Sequence, residues 1–363
     1  MRNSKLSILF CILLAILLPG CKSKYTADQY VGKQITTMKN SAPESFASLL
    51  DDGIAKSNEN YVLQFPEELK EPYFEFLQSS FQTIQFEVAK AKENGDGSYS
   101  VQITYTPVNI GETLSSKNTE LISSLESSSL TEAVSFVLKE DCKILADSPV
   151  YNDEIISTVK LTQNADGYSI DEDSMFTFLS QALYGYMEPY NIVCELFDAQ
   201  DFLTAYLDAS FKGDVVQFAK HTGRTEEEAL AWYESDVFDS PSDLSFSYVS
   251  RYQEALKGIM KQCQYTVGIP QKESGIYSYT VDVTVIPNNS LLNAFQEFEQ
   301  GTYYSIDEAS LGLVQAMEKY SASPDYGTET VLNVPINMNS LLNAGHDDSE
   351  LSNLAATILP LPE

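Results

Sequence analysis

The chain has 363 residues, of which 43% are hydrophobic, and this is enough to build the cores of two domains. An apolar content this high excludes an intrinsically disordered chain. The 52 acidic residues outnumber the 22 basic ones and give a formal net charge of −30, which excludes nucleic acid as a partner because so acidic a surface repels phosphate backbones.

The first 20 residues have the pattern of a secretory signal peptide. Two basic residues precede the apolar run Leu6–Leu18, which at 13 residues is shorter than the ~20 that a bilayer-spanning helix needs. The sequence LPGC at positions 18–21 resembles the lipobox of bacterial lipoproteins. The resemblance implies cleavage between Gly20 and Cys21 and a diacylglycerol group on the Cys21 thiol. An uncleaved anchor, or a cysteine placed there by chance, is the alternative.

Residues 21–24 then form a short tether between lipid and protein. Two acyl chains hold a protein stably on a membrane where one does not. We therefore expect a lipid-anchored protein on the extracytoplasmic face of the cell membrane.

The sequence contains an internal repeat. Residues 98–109 read SYSVQITYTPVN and residues 278–289 read SYTVDVTVIPNN, with Pro107 and Pro287 180 residues apart. Alternating apolar residues in both predict a strand with one buried face. Further elements occur in the same order in both copies: a helix (72–81 and 250–259), a first hairpin strand (83–91 and 264–270), a late strand (154–161 and 329–336) and a final helix (171–184 and 347–359).

This order predicts an α+β fold of two similar domains, each with helices packed on a small antiparallel sheet. We place the first copy at residues 25–186 and the second at 198–363. Residues 187–197 would form a packed linker, because YGYMEPY at 184–190 is too aromatic for a free one.

Helix boundaries are best marked in the second copy. Gly213 is expected to end a helix. Helix starts are predicted at Asp198, Asp214, Thr225 with Glu228 as a capping box, and Ser240 before Pro241.

The stretch FLTAYLDASFKGDVVQFAKHTGRTEEEALAWYE, at 202–234, is similar to a domain of unknown function found in lipoproteins of Gram-positive bacteria. The similarity lies in the aromatic helix, the Lys-Gly-Asp break and the Thr-Glu-Glu-Glu-Ala helix entry, and residues 45–60 of the first copy lack that break. The resemblance implies, more loosely, the curved-sheet cone fold of nuclear transport factor. It brings no established activity and no catalytic residues.

Motifs for catalysis are weak. His221 and His346 stand alone and are interpreted as surface or capping residues. Ser157 and Lys160 have S-x-x-K spacing but lie in a predicted strand, without the companion motifs of penicillin-binding enzymes. We therefore expect no catalytic residue, and the protein is interpreted as a non-enzyme.

We also expect no metal and no cofactor. The turns NGDGS (94–98) and NADGY (164–168) are interpreted as hairpin turns, with a weak calcium loop as the alternative. Cys142, Cys194 and Cys263 have no metal-type spacing and are interpreted as buried small side chains.

The sequence thus favours a non-catalytic lipoprotein that binds a small ligand, a cell-wall component or a protein partner. Tyr184, Tyr186 and Tyr190, at the junction of the two copies, are the candidate binding residues, because ligand pockets favour domain interfaces. The alternatives are the solute-binding lipoprotein of a transporter, which would need alternating strands and helices, and a cell-wall hydrolase.

Overall fold

A computed structural model of the chain describes residues 25–41, 43–123, 129–165, 167–237, 241–273, 277–343 and 348–361. The predicted signal peptide, the lipobox with Gly20 and Cys21, and His346 lie outside the described residues. No helix in these ranges combines the length and the apolar character that a bilayer-spanning segment needs.

The chain forms two compact units. Of the described residues, unit 1 takes those up to Lys56 and those within Phe65–Ile122 and Thr131–Pro189. Unit 2 takes those within Ser57–Gln64 and Ser123–Leu130 and those from Tyr190 onward. The short stretch Ser57–Gln64, which the repeat placed in the first domain, therefore groups with the second unit.

Unit 1 combines six helices of the described chain with a five-stranded sheet. Its helices are α1 (Ala27–Ser41), α2 (Ala47–Asn60, whose last turn groups with unit 2), α3 (Lys70–Thr83), α4 (Ile110–Ser123), α5 (Leu130–Asp147) and α6 (Glu172–Ala182). Its strands are β1 (Gln85–Val88), β2 (Lys92–Glu93), β3 (Ser98–Thr106), β4 (Ile155–Asn164) and β5 (Gly167–Ile170).

The sheet of unit 1 is antiparallel, in the order β1-β3-β4-β5, with the short β2 also paired to β3. Along β3 the residues Val101, Ile103 and Tyr105 are buried, and the residues between them face outward. The ring of Phe178 on α6 meets Tyr105 edge-on, with 5.0 Å between centroids, so α6 is docked on the buried face of the sheet.

Unit 2 repeats this scheme after a helical section of its own. Its helices are α7 (Glu188–Lys212), α8 (Val216–Thr222), α9 (Glu226–Val237), α10 (Val249–Met260), α11 (Ser290–Glu299), α12 (Ile306–Ala322), α13 (Met338–Leu342) and α14 (Ser349–Ile358). Its strands are β6 (Gln264–Val267), β7 (Gln271–Lys272), β8 (Ser278–Ile286) and β9 (Thr330–Asn337).

Strand pairing in the second sheet follows the first. In each unit the long central strand carries two short strands on one edge and one long strand on the other. Equivalent antiparallel partners are Val88–Ile103 and Val267–Val283, Lys92–Ser100 and Gln271–Thr280, and the isolated bridges Val108–Tyr151 and Asn288–Tyr326. After the late strand the units differ, since β4 turns into β5 whereas β9 runs into α13.

The predicted α+β class is confirmed, because helices accompany an antiparallel sheet in both units. The helices predicted at 72–81 and 250–259 are α3 and α10, each a little longer than predicted. The late strands and the final helices also occur where the repeat predicted them, within one to three residues.

The predicted helix boundaries of the second copy agree with the structure only in part. The capping box is confirmed: the backbone N–H of Thr225 donates to Glu228 at 2.9 Å, and the N–H of Glu228 donates to the Thr225 hydroxyl at 3.2 Å. Gly213 has φ +72°, as a residue that ends a helix should. Asp214 is not a cap, because α8 begins after Val215 without a side-chain cap. The helix predicted to start at Pro241 begins at Val249 instead, after a 3₁₀ turn at Phe246–Tyr248.

Residues 188–197 of the predicted packed linker form the first part of α7, and Met187 precedes that helix. Pro189 occupies the first turn, where a missing backbone N–H costs nothing. The residues Tyr190, Val193, Cys194 and Phe197 follow helical spacing and are all buried. Asp198, predicted to cap a helix, therefore lies in the interior of one.

Candidate functional site

Unit 1 contains an open groove of about 290 Å³, which we call the α1–α6 groove. Its buried residues are Met38, Leu49 and Leu179, and its half-buried residues are Ile170, Met175, Phe176 and Gln34. Ser45, Ser48 and Glu172 are exposed and form its rim. An apolar floor under a few polar groups is the usual composition of a small-molecule site, and the volume is at the low end for such sites.

The amphipathic pattern of α1 delivers one wall of the groove. Ala27, Val31, Ile35 and Met38 recur at helical spacing and are buried. Met38 is the last of this stripe and faces the groove with its flexible thioether side chain. Methionine adapts to irregular surfaces because it is unbranched and polarisable, so this wall can fit apolar groups of different shape.

The opposite wall is the first half of α6. Asp171 caps this helix, its carboxylate accepting the backbone N–H of Ser174 at 2.9 Å. One turn further, Phe178 anchors α6 to the sheet and Leu179 reaches the groove. Met175 and Phe176 precede that anchor and remain half-buried, so they leave apolar surface facing the groove.

One of the predicted binding residues supports this groove. The hydroxyl of Tyr186 donates to the backbone carbonyl of Leu49 at 2.5 Å. Leu49 lies in the first turn of α2 and lines the groove. Burial, with Asp52 close by, raises the pKa of Tyr186, so the phenol stays neutral and keeps its donor role.

The other two tyrosines lie elsewhere. Tyr184 is 77% exposed, which contradicts the prediction that it packs. Tyr190 lies on α7 in unit 2 and is fully buried. Its hydroxyl accepts a hydrogen bond from the Cys194 thiol at 3.4 Å. The structure therefore does not place Tyr184, Tyr186 and Tyr190 in one unit, and Tyr186 is the residue that touches an element of the groove.

A second, polar cluster lies in unit 2 around His221. Its Nε2 is 2.7 Å from the Asp201 carboxylate and its Nδ1 is 3.9 Å from the Asp198 carboxylate. The ring of Phe202 stacks on the imidazole with 4.6 Å between centroids. The His221 side chain is only 2% exposed, so a substrate cannot reach it.

One carboxylate of this cluster, that of Asp198, holds a piece of backbone. One oxygen of Asp198 accepts the backbone N–H groups of both Val62 and Leu63, each at 2.9 Å. Burial raises the pKa of Asp198, while burial of Asp201 is outweighed by hydrogen bonds from His221 and Gln217, which lower the pKa of Asp201. We call the set Asp198, Asp201 and His221 the α7 clamp, because its geometry fits the retention of residues 62–63.

Other sequence motifs have structural partners. The Ser157 hydroxyl lies on β4 and is hydrogen-bonded to Gln181 at 2.6 Å and to Tyr105 at 3.0 Å, whereas Lys160 is exposed. In the turn 94–97, the Asp96 carboxylate accepts the backbone N–H of Ser98, as in an ordinary hairpin turn.

Within the described ranges, no group of three or more His, Cys, Asp or Glu side chains is arranged to hold a metal ion. Cys142, Cys194 and Cys263 are free thiols, and burial raises the pKa of Cys194 and of Cys263 to about 12. A thiol with so high a pKa is a poor nucleophile near neutral pH.

The groove itself was missed by reading the sequence. Asp171, Glu172 and Asp173 were interpreted only as acidic residues at a helix start, and the first of them is confirmed as the cap. A signal was present in Met175 and Phe176, two large apolar residues before the buried stripe of α6. Sequence alone does not show that α1 and α2 leave a space opposite them.

Comparison with known proteins adds no relative. No protein-family model, no curated protein and no solved structure matches the chain.

Proposed function

We propose that this chain is a membrane-anchored extracytoplasmic lipoprotein that binds a small ligand in the α1–α6 groove and does not convert it chemically. The observation that carries the proposal is the groove: about 290 Å³ lined by Met38, Leu49, Met175, Phe176 and Leu179. Apolar groups of a ligand placed there leave water, at about 0.8 kcal/mol for each buried methylene.

The anchor part of the proposal rests on the lipobox at positions 18–21 and on the short apolar run before it. The likeness of residues 202–234 to a domain of Gram-positive lipoproteins points to the same surface location. A protein tethered by Cys21 outside the cytoplasmic membrane meets apolar and amphiphilic small molecules at the membrane surface.

The non-catalytic part rests on the state of the polar side chains. His221 is buried between two carboxylates and an aromatic ring, and Ser157 is hydrogen-bonded inside unit 1. Both side chains could serve as catalytic groups in a hydrolase, but both already have interaction partners inside the protein. This disfavours the hydrolase alternative.

The transporter alternative is disfavoured by strand direction. Every ladder between the named strands is antiparallel. A solute-binding protein of the two-lobed kind is built from parallel strands joined by helices. The antiparallel sheets are therefore not those of a two-lobed solute-binding protein, and the proposed ligand site is the groove within unit 1.

Filling the groove tests the proposal. Ser48→Trp would place a large ring at the rim, and N-phenyl-1-naphthylamine, a neutral dye that fluoresces in apolar sites, would report occupancy. We expect saturable fluorescence with the native protein and its loss in Ser48→Trp. The matched control is Ala55→Trp, at an exposed position of α2 that does not line the groove. Equal dye binding by all three proteins would refute a site in the groove.

A further inference from the structure

We infer that the α1–α6 groove selects amphiphiles with a cationic head group, an inference that rests on the ligand-binding function proposed above. Among the described residues that line the groove, Glu172 is the charged one. Its other polar residues, Gln34, Ser45 and Ser48, are neutral. A ligand whose apolar body lies on Met175 and Leu179 therefore ends beside a carboxylate.

The carboxylate of Glu172 is not neutralised by the protein. Among the ion pairs of the described chain, none involves Asp171, Glu172 or Asp173. Two lysines are next to groove residues in the sequence. Lys33, beside Gln34, has its ammonium over the Tyr25 ring, 4.9 Å from the ring centroid. Lys39, beside Met38, donates its ammonium to the backbone carbonyl of Ile84 at 2.6 Å. The rim thus carries an acidic group that is available to a ligand.

The helix end does not cancel this charge. The N-terminus of α6 is equivalent to roughly half a positive charge, and Asp171 already accepts the N–H of Ser174 there. Asp171, Glu172 and Asp173 together carry more negative charge than the helix end supplies. The local potential at the rim is therefore negative.

The net charge of the whole chain also favours cationic ligands. A formal net charge of −30 concentrates cations near the surface and repels anions. Fatty-acid-like anions are consequently disfavoured at the rim, neutral amphiphiles gain only from the apolar floor, and cations gain from both. A small alkylammonium compound combines the two features that the groove offers.

The test compares three probes of equal chain length by isothermal titration calorimetry: octyltrimethylammonium, 1-octanol and octyl sulfate. We expect the cation to bind about fivefold more tightly than the alcohol at low salt, and the sulfate to bind more weakly than either. Raising the salt to 1 M, where the Debye length falls to ~3 Å, should remove most of the difference.

Two variants test whether Glu172 causes the preference for the cationic probe. Glu172→Gln should bring the affinity for octyltrimethylammonium down to that for 1-octanol and leave 1-octanol binding unchanged. Glu71→Gln, which changes the net charge equally at an exposed position of α3 outside the groove, should keep the preference. Melting temperatures of both variants show that they are folded.

The outcomes separate the two proposals. If 1-octanol and the cation bind equally well, or if Glu172→Gln keeps the preference for the cation, the cationic selectivity is wrong while the ligand-binding function stands. If no probe binds to the native protein in the groove, and Ser48→Trp changes nothing, the ligand-binding function itself is wrong.

Discussion

Asp141 is a buried carboxyl group whose hydrogen bonding is incomplete. It lies on α5 with no exposed surface, and the amide of Asn118 donates to one of its oxygens at a long 3.4 Å. The other oxygen of Asp141 and the amide oxygen of Asn118 are buried and have no hydrogen-bond partner in the described part of the chain. On α12, the corresponding helix, Leu313, Val314 and Met317 have the spacing of Val137, Leu138 and Asp141, and all six are buried.

Asp141 should make stability depend on pH. Burial is the main cause that raises the pKa of Asp141 to about 7, from a usual value of 3.8. Between these values the unfolded chain loses a proton that the folded protein keeps, so stability falls as pH rises from about 4 to about 7 and then levels off. Asp141→Met should remove this loss, on the order of 2–4 kcal/mol.

Urea unfolding at pH 4.5 and pH 8 measures the effect. The difference in unfolding free energy between the two pH values should shrink in Asp141→Met relative to the native protein, and the variant should be the more stable one at pH 8. Identical pH dependence in both proteins would show that Asp141 is ionised in the fold or accessible to water.

Gly53 is required by close packing rather than by backbone conformation. A Cβ atom at this position of α2 would collide with the hydroxyl of Tyr186 and lie 2.7 Å from Cγ of Met187. Gly53→Ala should therefore destabilise the protein by about 1–3 kcal/mol, although alanine is the better helix former. Because Leu49 is held by the same tyrosine, the variant should also weaken dye binding in the groove.

Gly32→Ala is the matched control for Gly53→Ala. On α1 an added Cβ would meet only Val88, at an ordinary 3.7 Å. This substitution should stabilise the protein by up to about 1 kcal/mol, since alanine loses less backbone entropy. Thermal melts of both variants decide the matter, and a stabilising Gly53→Ala would show that Tyr186 does not pack against α2.

At the residue scale, the sequence predicts burial only where apolar residues recur with the spacing of a strand or a helix. Tyr105 and Val101 alternate on a strand and were predicted to be buried together, as they are. Tyr184 and Tyr186 lie in the turn between α6 and α7, where no period applies. One is exposed and the other buried, and nothing in the sequence separates them.

At the scale of elements, the α7 clamp fixes a short stretch of chain. Asp198→Ala would leave the backbone N–H groups of Val62 and Leu63 without their acceptor, at a cost of about 2–3 kcal/mol. Asp198→Asn keeps an acceptor oxygen and should cost less. Hydrogen exchange of the amides at 62 and 63 should accelerate in Asp198→Ala.

Asp208→Ala serves as the control for that measurement. Asp208 lies on the same helix and accepts the hydroxyl of Tyr265 at 2.7 Å, away from residues 62 and 63. If both variants accelerate exchange at residues 62 and 63 equally, the effect is general destabilisation and the clamp assignment is wrong.

Elements that are determined by residues close together in the sequence were predicted correctly. Features that depend on packing between residues far apart in the sequence were not. The alternation in β3 and β8 and the capping box at Thr225 are local, and both are confirmed. The start of α7 was missed because Tyr190 was interpreted as part of an aromatic linker, whereas its spacing to Val193, Cys194 and Phe197 is helical. The space opposite α6 depends on where α1 and α2 pack, which no local pattern encodes.

At the scale of the whole molecule, the internal repeat accounts for the similar sheets of the two units. The two sheets have equivalent registers around central strands that lie 180 residues apart in the sequence, and the outward faces of both central strands are mostly polar. Units with one topology still differ in their sites, since the groove belongs to unit 1 and the α7 clamp to unit 2. The repeat predicts the shared frame but not these differences.

The proposed lipid anchor concerns the whole molecule, and substitution of Cys21 tests it. In Cys21→Ala the thiol that would carry diacylglycerol is absent, so the protein should leave the detergent phase in Triton X-114 partitioning or accumulate as uncleaved precursor. Cys194→Ala is the matched cysteine control and should stay in the detergent phase. An unmodified Cys21 in the membrane-bound mature protein, found by mass spectrometry, would contradict the anchor.

The contact between Asp198 and the backbone of Val62 also sets an order of events during biosynthesis. The two partners are 136 residues apart, and at a synthesis rate of about 5–20 residues per second the earlier one waits roughly 7–27 s for the later one. During that interval the N–H groups of residues 62 and 63 have only water to bind. A factor that holds the emerging chain would therefore have several seconds to act on this stretch before Asp198 is synthesised.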